Sequence, residues 1–212
     1  MHTLTTEERR SGILPPSFPP GRGGDSGRND SGSSFPISKG QIALWILLTA
    51  IVMLFAGLTS AYIVLRGVPA WQNIALPSLL WPNTLVLFMS SVAIEISRRS
   101  VRNNDTAGMR RWLAVGGALG LAFLIGQLAA WRQLVNAGVY LPSTLQSSFF
   151  YILTGIHGLH LLGGVLALAY VLTKAMKNRW TAVDHEPLKL CATYWHAMDG
   201  LWVYLFLLLL LS

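Results

Sequence analysis

Between Ser148 and Tyr170 the sequence runs S-F-F-Y-I-L-T-G-I-H-G-L-H-L-L-G-G-V-L-A-L-A-Y. A helix of about 20 apolar residues crosses the hydrocarbon of a bilayer, and this stretch is long enough to do so. It nevertheless carries His157 and His160 near its middle. A polar ring at that depth is costly and rarely faces lipid. The two histidines are three residues apart and share a broad helical face. That face must therefore meet another polar helix. The expected partner is the last apolar segment, A-T-Y-W-H-A-M-D-G-L-W-V-Y-L-F, in which His196 and Asp199 are also three apart. Pairing the two stripes predicts a hydrogen bond from His157 or His160 across to the last helix, near His196 or Asp199.

Four further observations set the class. The chain has 212 residues, 52% hydrophobic and 12% charged, a balance that excludes an ordinary soluble domain. Its apolar segments predict five spanning helices, over Gln41–Leu65, Leu79–Ile96, Trp112–Leu134, Ser148–Leu172 and Leu188–Leu211. The net charge of +7 does not point to nucleic acid, because Lys and Arg gather at the ends of those segments as topology signals. A lone cysteine, Cys191, excludes a disulfide framework within the chain. The fold class is therefore all-α, a polytopic membrane bundle of five transmembrane helices over residues 39–212. Residues 1–38, rich in Pro, Gly, Ser and Arg, predict a disordered tail. The segment Ser97–Arg111 holds five arginines, and Lys174, Lys177 and Arg179 follow the fourth helix. The positive-inside rule places both on the cytoplasmic side, with the N-terminus inside and the C-terminus outside.

Within the spans the residues allow more than one chemistry. His157, His160, His196 and Asp199 are good metal-ligand types, but no E-x-x-H pair of the di-iron bundle kind is present. Tyr194, Trp195 and Trp202 supply donors for a purely structural network instead. Glu95 lies one turn before Arg98 and Arg99, which predicts an ion pair at the membrane edge, with a proton relay as the alternative. Gln127, deep in the third helix, is expected to bond to a neighbouring helix. Gly116 and Gly120 form a small-xxx-small face for close helix approach. Trp112 and Trp131, about 28 Å apart along a helix, are expected in the two interfacial belts. Lys174, Lys177 and Arg179 are candidates for an anionic lipid headgroup.

The motifs F-F-Y-I-L-T-G-I-H-G-L-H and Y-W-H-A-M-D-G-L-W resemble those of the last two helices of subunit III of the haem-copper (cytochrome c) oxidases. W-I-L-L-T-A-I-V-M-L-F-A-G-L-T-S-A-Y-I-V-L-R and N-T-L-V-L-F-M-S-S are similar to that family's preceding helices in its short, five-helix bacterial form. The resemblance covers about Gln41 to Leu211. It implies an accessory subunit of a terminal respiratory oxidase, an enzyme complex that reduces oxygen to water and pumps protons across the bacterial plasma membrane. It further implies no catalytic residue, metal or cofactor in this chain, with haem and copper in the partner subunits. Catalytic subunit I, subunit II and phospholipid would be the partners, with Lys174 at a lipid-contacting position. His157, His160, Tyr194, Trp195, His196, Asp199 and Trp202 would be interface residues. Two of the family's glutamates are replaced, by Ile51 and Lys189, so no role of those carboxylates carries over. A subunit III-like part of a quinol oxidase or nitric oxide reductase is the first alternative. An independent membrane metalloenzyme using the histidines is the second. A small transporter is disfavoured, because no inverted repeat or broken-helix pair is visible.

Overall fold

The computed structural model describes residues 38–69, 71, 76–177 and 186–211. The expected tail, apart from Ser38, and Arg179 lie outside the described residues. Five helices follow one another: α1 (Lys39–Arg66), α2 (Leu80–Arg102), α3 (Thr106–Asn136), α4 (Leu145–Met176) and α5 (Glu186–Leu210). By length and composition α1 to α4 can each cross a membrane. α5 is of similar length, with its polar residues gathered in its first half.

The helix ends have local causes. Ser38 caps α1, accepting from the Gln41 amide while Gln41 reaches back to the Ser38 amide, a capping box. Thr144 and Ser147 do the same for α4. The basic segment between the second and third helices is mostly helical rather than loop. α2 continues to Arg102, Asp105 accepts from the Gly108 amide to start α3, and Asn104 turns the chain at φ 56°. Long arginine side chains let a helix run past the apolar core while the charge stays in water.

α2, α3, α4 and α5 pack as a ring in which each helix meets its two neighbours, and α1 lies outside it against α4 and α5. The α2–α3 seam is a ladder. Asn83 Nδ2 donates to the Phe123 carbonyl (3.1 Å), Ser90 Oγ to that of Gly116 (2.8 Å) and Ser97 Oγ to that of Met109 (3.0 Å). The donors are seven residues apart on α2 and their acceptors seven apart on α3, running the other way. That is the period of a left-handed helix pair. The carbonyls can be reached because glycine lets the backbones close up. A Cβ on Gly116 would sit 2.7 Å from the Ile94 side chain of α2, and one on Gly126 would run into Asn83, whereas Gly120 instead makes room for the Trp195 ring of α5, which a Cβ would approach to 2.5 Å.

Candidate functional site

At mid-height the ring is filled by aromatic and polar side chains from four helices. Trp202 of α5 donates from Nε1 to Thr84 Oγ1 of α2 (3.0 Å). Thr84 Oγ1 in turn donates to the Leu80 carbonyl (2.8 Å). The other side of this layer is a ring stack. Trp202 and His157 of α4 have centroids 5.1 Å apart, and Phe123 of α3 meets Trp202 edge-on at 4.9 Å and His157 at 6.3 Å. Such edge contacts add about 0.5–1.5 kcal/mol each beyond burial. His157 and Trp195 are wholly buried, and neither ring carries a hydrogen bond.

The expected bond between the two polar stripes is absent. A separation of three residues leaves about 60° between side chains at 100° per residue, and in a close-packed ring that angle selects different neighbours. His157 faces Trp202 and Phe123. His160 turns toward α1, where its ring lies 5.9 Å from Phe55 and its Nδ1 bonds the Ile156 carbonyl of its own helix. The bond that joins α4 to α5 here runs to backbone: Tyr194 Oη donates to the His160 carbonyl (2.9 Å). His196 faces α2, where its Nδ1 is 2.6 Å from Ser91 Oγ and its Nε2 is 3.8 Å from Glu95. Asp199 is buried on the same side, and neither of its oxygens is in hydrogen-bond geometry with a partner.

The ion pair at the end of α2 forms as read. Glu95 is 2.9 Å from Arg98 and 3.7 Å from Arg99. That His196 joins it is a tertiary fact with no signal in local spacing. Gln127 is buried with neither amide atom bonded, contrary to its expected cross-helix bond. Trp112 is half-exposed as a belt residue would be, but Trp131 points inward and donates from Nε1 to Thr154 (3.1 Å). Thr154, at i−3 from His157, gives that indole a partner that lipid would not. Ile51 is buried on the inner face of α1, and Lys189 is exposed at the start of α5. Lys174 lies in the last turn of α4 and Lys177 caps it. Among the described residues, no three His, Cys, Asp or Glu side chains gather closely enough to hold a metal ion.

Asn83, Ser90 and Ser97 were not singled out in the sequence. Their signal was there, three small polar residues at strict heptad spacing, but Thr84 and Ser91 directly beside two of them blur it.

The fold and its buried motifs thus define a polytopic helical membrane protein whose histidine and tryptophan signatures build helix seams. A profile of the family "Cytochrome c oxidase subunit III" matches residues 61–211. The cytochrome c oxidase subunit 3 of Synechocystis sp. is 35% identical over 172 residues, covering 78% of this chain and 72% of the relative. A probable cytochrome c oxidase subunit 3 of Mycobacterium tuberculosis is 33% identical over 175 residues, covering 80% and 85%. That of Thermostichus vulcanus is 32% identical over 176 residues, covering 79% and 85%. The chain belongs to the cytochrome c oxidase subunit III family.

Proposed function

We propose that the chain is the accessory subunit III of a haem-copper terminal oxidase and carries no redox centre of its own. The observation that supports this most is the dispersal of its three intramembrane histidines. His157 faces α3 and α5, His160 faces α1, and His196 faces α2. Ligands for one metal must converge, with second-shell partners that fix each imidazole, and these diverge. Their roles are architectural: His157 fills the ring core with Trp202, Tyr194 ties α5 to α4, and His196 ties α5 to α2. The seven motif residues named above are interface residues in this reading. The chain steadies the catalytic subunit, with subunit I and subunit II as partners and haem and copper residing there.

Two finer features belong to the same reading. The N-terminus lies in the cytoplasm and the C-terminus outside, because the arginines of the α2–α3 connection gather on one side. Lys174 and Lys177, with Arg179, take an anionic phospholipid headgroup at the cytoplasmic end of α4.

The test is to purify the tagged full chain from its native membrane in mild detergent. A haem-bearing multi-helix subunit and a visible haem spectrum should accompany it. The separated chain should hold no stoichiometric haem, copper or iron by elemental analysis. One tightly held metal per separated chain would overturn the architectural roles. Recovery of the chain free of any haem-bearing partner would overturn the subunit assignment.

A further inference from the structure

Among the described residues, the outward faces of α1, α3 and α4 are mostly apolar between their ends, with Val52, Ile125 and Leu166 among their exposed side chains and Thr49 and Ser60 as the small polar exceptions on α1. The α2–α5 seam differs. An open groove lined by Trp81, Phe88, Val203 and Leu207 runs along its outer half. At its inner end this groove closes between Thr84, Phe88 and Val203, too tightly for a water molecule, with Asp199 and Trp202 just behind. Just beyond, Ser91, His196 and Glu95 are half-exposed on the same seam.

Asp199 is the difficulty for a lipid-facing surface. It stands 13 residues from Glu186 and 11 from Leu210, so it lies about 17–19 Å from either helix end. An acid at that depth marks a contact with protein or water rather than lipid. Neither oxygen has a hydrogen bond. The Ser91 hydroxyl, which also contacts His196 Nδ1, is the one donor that acts on it. One hydroxyl would still leave most of a carboxylate's roughly four acceptor positions unmatched. An acyl chain in the groove would offer none. His160, a half-exposed ionisable group on α4, is packed against Phe55 of α1. Among the described residues, none outside α2 and α5 lines this part of their seam.

We infer that the α2–α5 seam is the face on which a transmembrane helix of another subunit docks, and that this helix presents a hydrogen-bond donor to Asp199. The inference rests on the subunit reading above and adds the surface and its chemistry. The incoming helix lays apolar side chains between Trp81, Phe88 and Leu207. Its donor reaches Asp199 as the Phe88 and Val203 side chains part at the groove's inner end. Its polar flank covers His196 and Glu95, which Arg98 and Arg99 already neutralise in part.

The test uses the full chain in its native membrane. A benzoylphenylalanine photocrosslinker is placed at Phe88 or Leu207 on the seam and, as the contrast, at Ile125 on the outer face of α3. The seam positions should crosslink to a different polytopic subunit, and Ile125 to lipid alone. Crosslinks from the seam to lipid only, to a second copy of this chain, or equally from Ile125 would overturn the inference. In parallel, Asp199→Leu should lower retention of this chain on the detergent-washed oxidase by roughly three- to thirty-fold, the range of a membrane hydrogen bond. Asp199→Asn, which still bonds, should retain most of it. Thermal stability of the isolated Asp199→Leu chain should be little changed, since Ser91 is the one internal partner given up. Unchanged retention would overturn the inference, and so would a parallel loss of the isolated chain's stability. Failure of the unaltered chain to accompany any haem-bearing subunit would instead overturn the subunit reading, and this inference with it.

Discussion

The α2–α3 hairpin and α1 are both long apolar helices, yet they are held in different ways. The hairpin is joined by three side-chain donors aimed at backbone carbonyls and by close approach at Gly116. α1 is fixed by rings: Phe55 lies against His160, and Tyr62 meets Trp71 and Phe149 edge-on at 5.0 and 5.7 Å. Its two buried hydroxyls, on Thr59 and Tyr62, bond to nothing. Lipid tails are as apolar as leucine, so burial of apolar surface does not by itself draw membrane helices together. Close packing and polar contacts decide which pairs are tight. The hairpin has both, whereas α1 has a few aromatic anchors. The family profile begins at residue 61, near the end of α1, and takes in the whole hairpin.

The sharpest way to break this contrast is one change made in both places. Gly116→Leu puts a side chain into Ile94, which is fully buried, and should cost about 2–3 kcal/mol. At Gly57 on α1 an added Cβ meets nothing within 4 Å, so Gly57→Leu should be neutral or slightly stabilising, by up to about 1 kcal/mol from helix propensity. Reversible unfolding in mixed micelles measures both, and equal losses would end the distinction. A smaller effect is expected from Asn83→Leu. The Phe123 carbonyl keeps its helical bond, so only one cross-helix bond goes, worth about 1 kcal/mol. Ser97→Ala, nearer the membrane edge where water competes, should cost about 0.6 kcal/mol in the same assay. The smallest change is Thr59→Val on α1, expected within about 0.3 kcal/mol of zero because its buried hydroxyl has no bond to lose. If Thr59→Val costs as much as Ser97→Ala, the hydroxyls of α1 are as engaged as those of the hairpin.

Five helices were legible because apolar length is a property of each segment alone. Their ends were less so. Ser97 to Arg111 read as one charged connection because charge was taken as a boundary, although Asp105 three residues before Gly108 is a local capping signal. Gly116 met α2 closely, Gly120 instead admits the Trp195 ring of α5, and Glu95 found both arginines. The histidines misled in a specific way. Shared helical face was taken as shared partner, but a face about 60° wide at a ring junction spans two neighbours. His157 and His160 fall on either side of that divide, whereas His196 and Asp199 both turn to α2. Which neighbour each meets depends on which helices are adjacent, and no single segment encodes that.

The polar ladder also bears on how the chain enters the membrane. α2 is the least apolar of the four helices that qualify as spans by composition, and Asn83, Ser90 and Ser97 are part of the reason. Each finds its acceptor only on α3, and just Asn103, Asn104 and Asp105 separate the two helices. Leaving the translocon singly, α2 would expose an asparagine and two serines to hydrocarbon. Leaving with α3, it buries all three in one step. Because donors and acceptors repeat every seven residues, a slip of one residue would break every rung together. The hairpin thus proofreads its own alignment at birth, before α4 and α5 exist to close the ring around it.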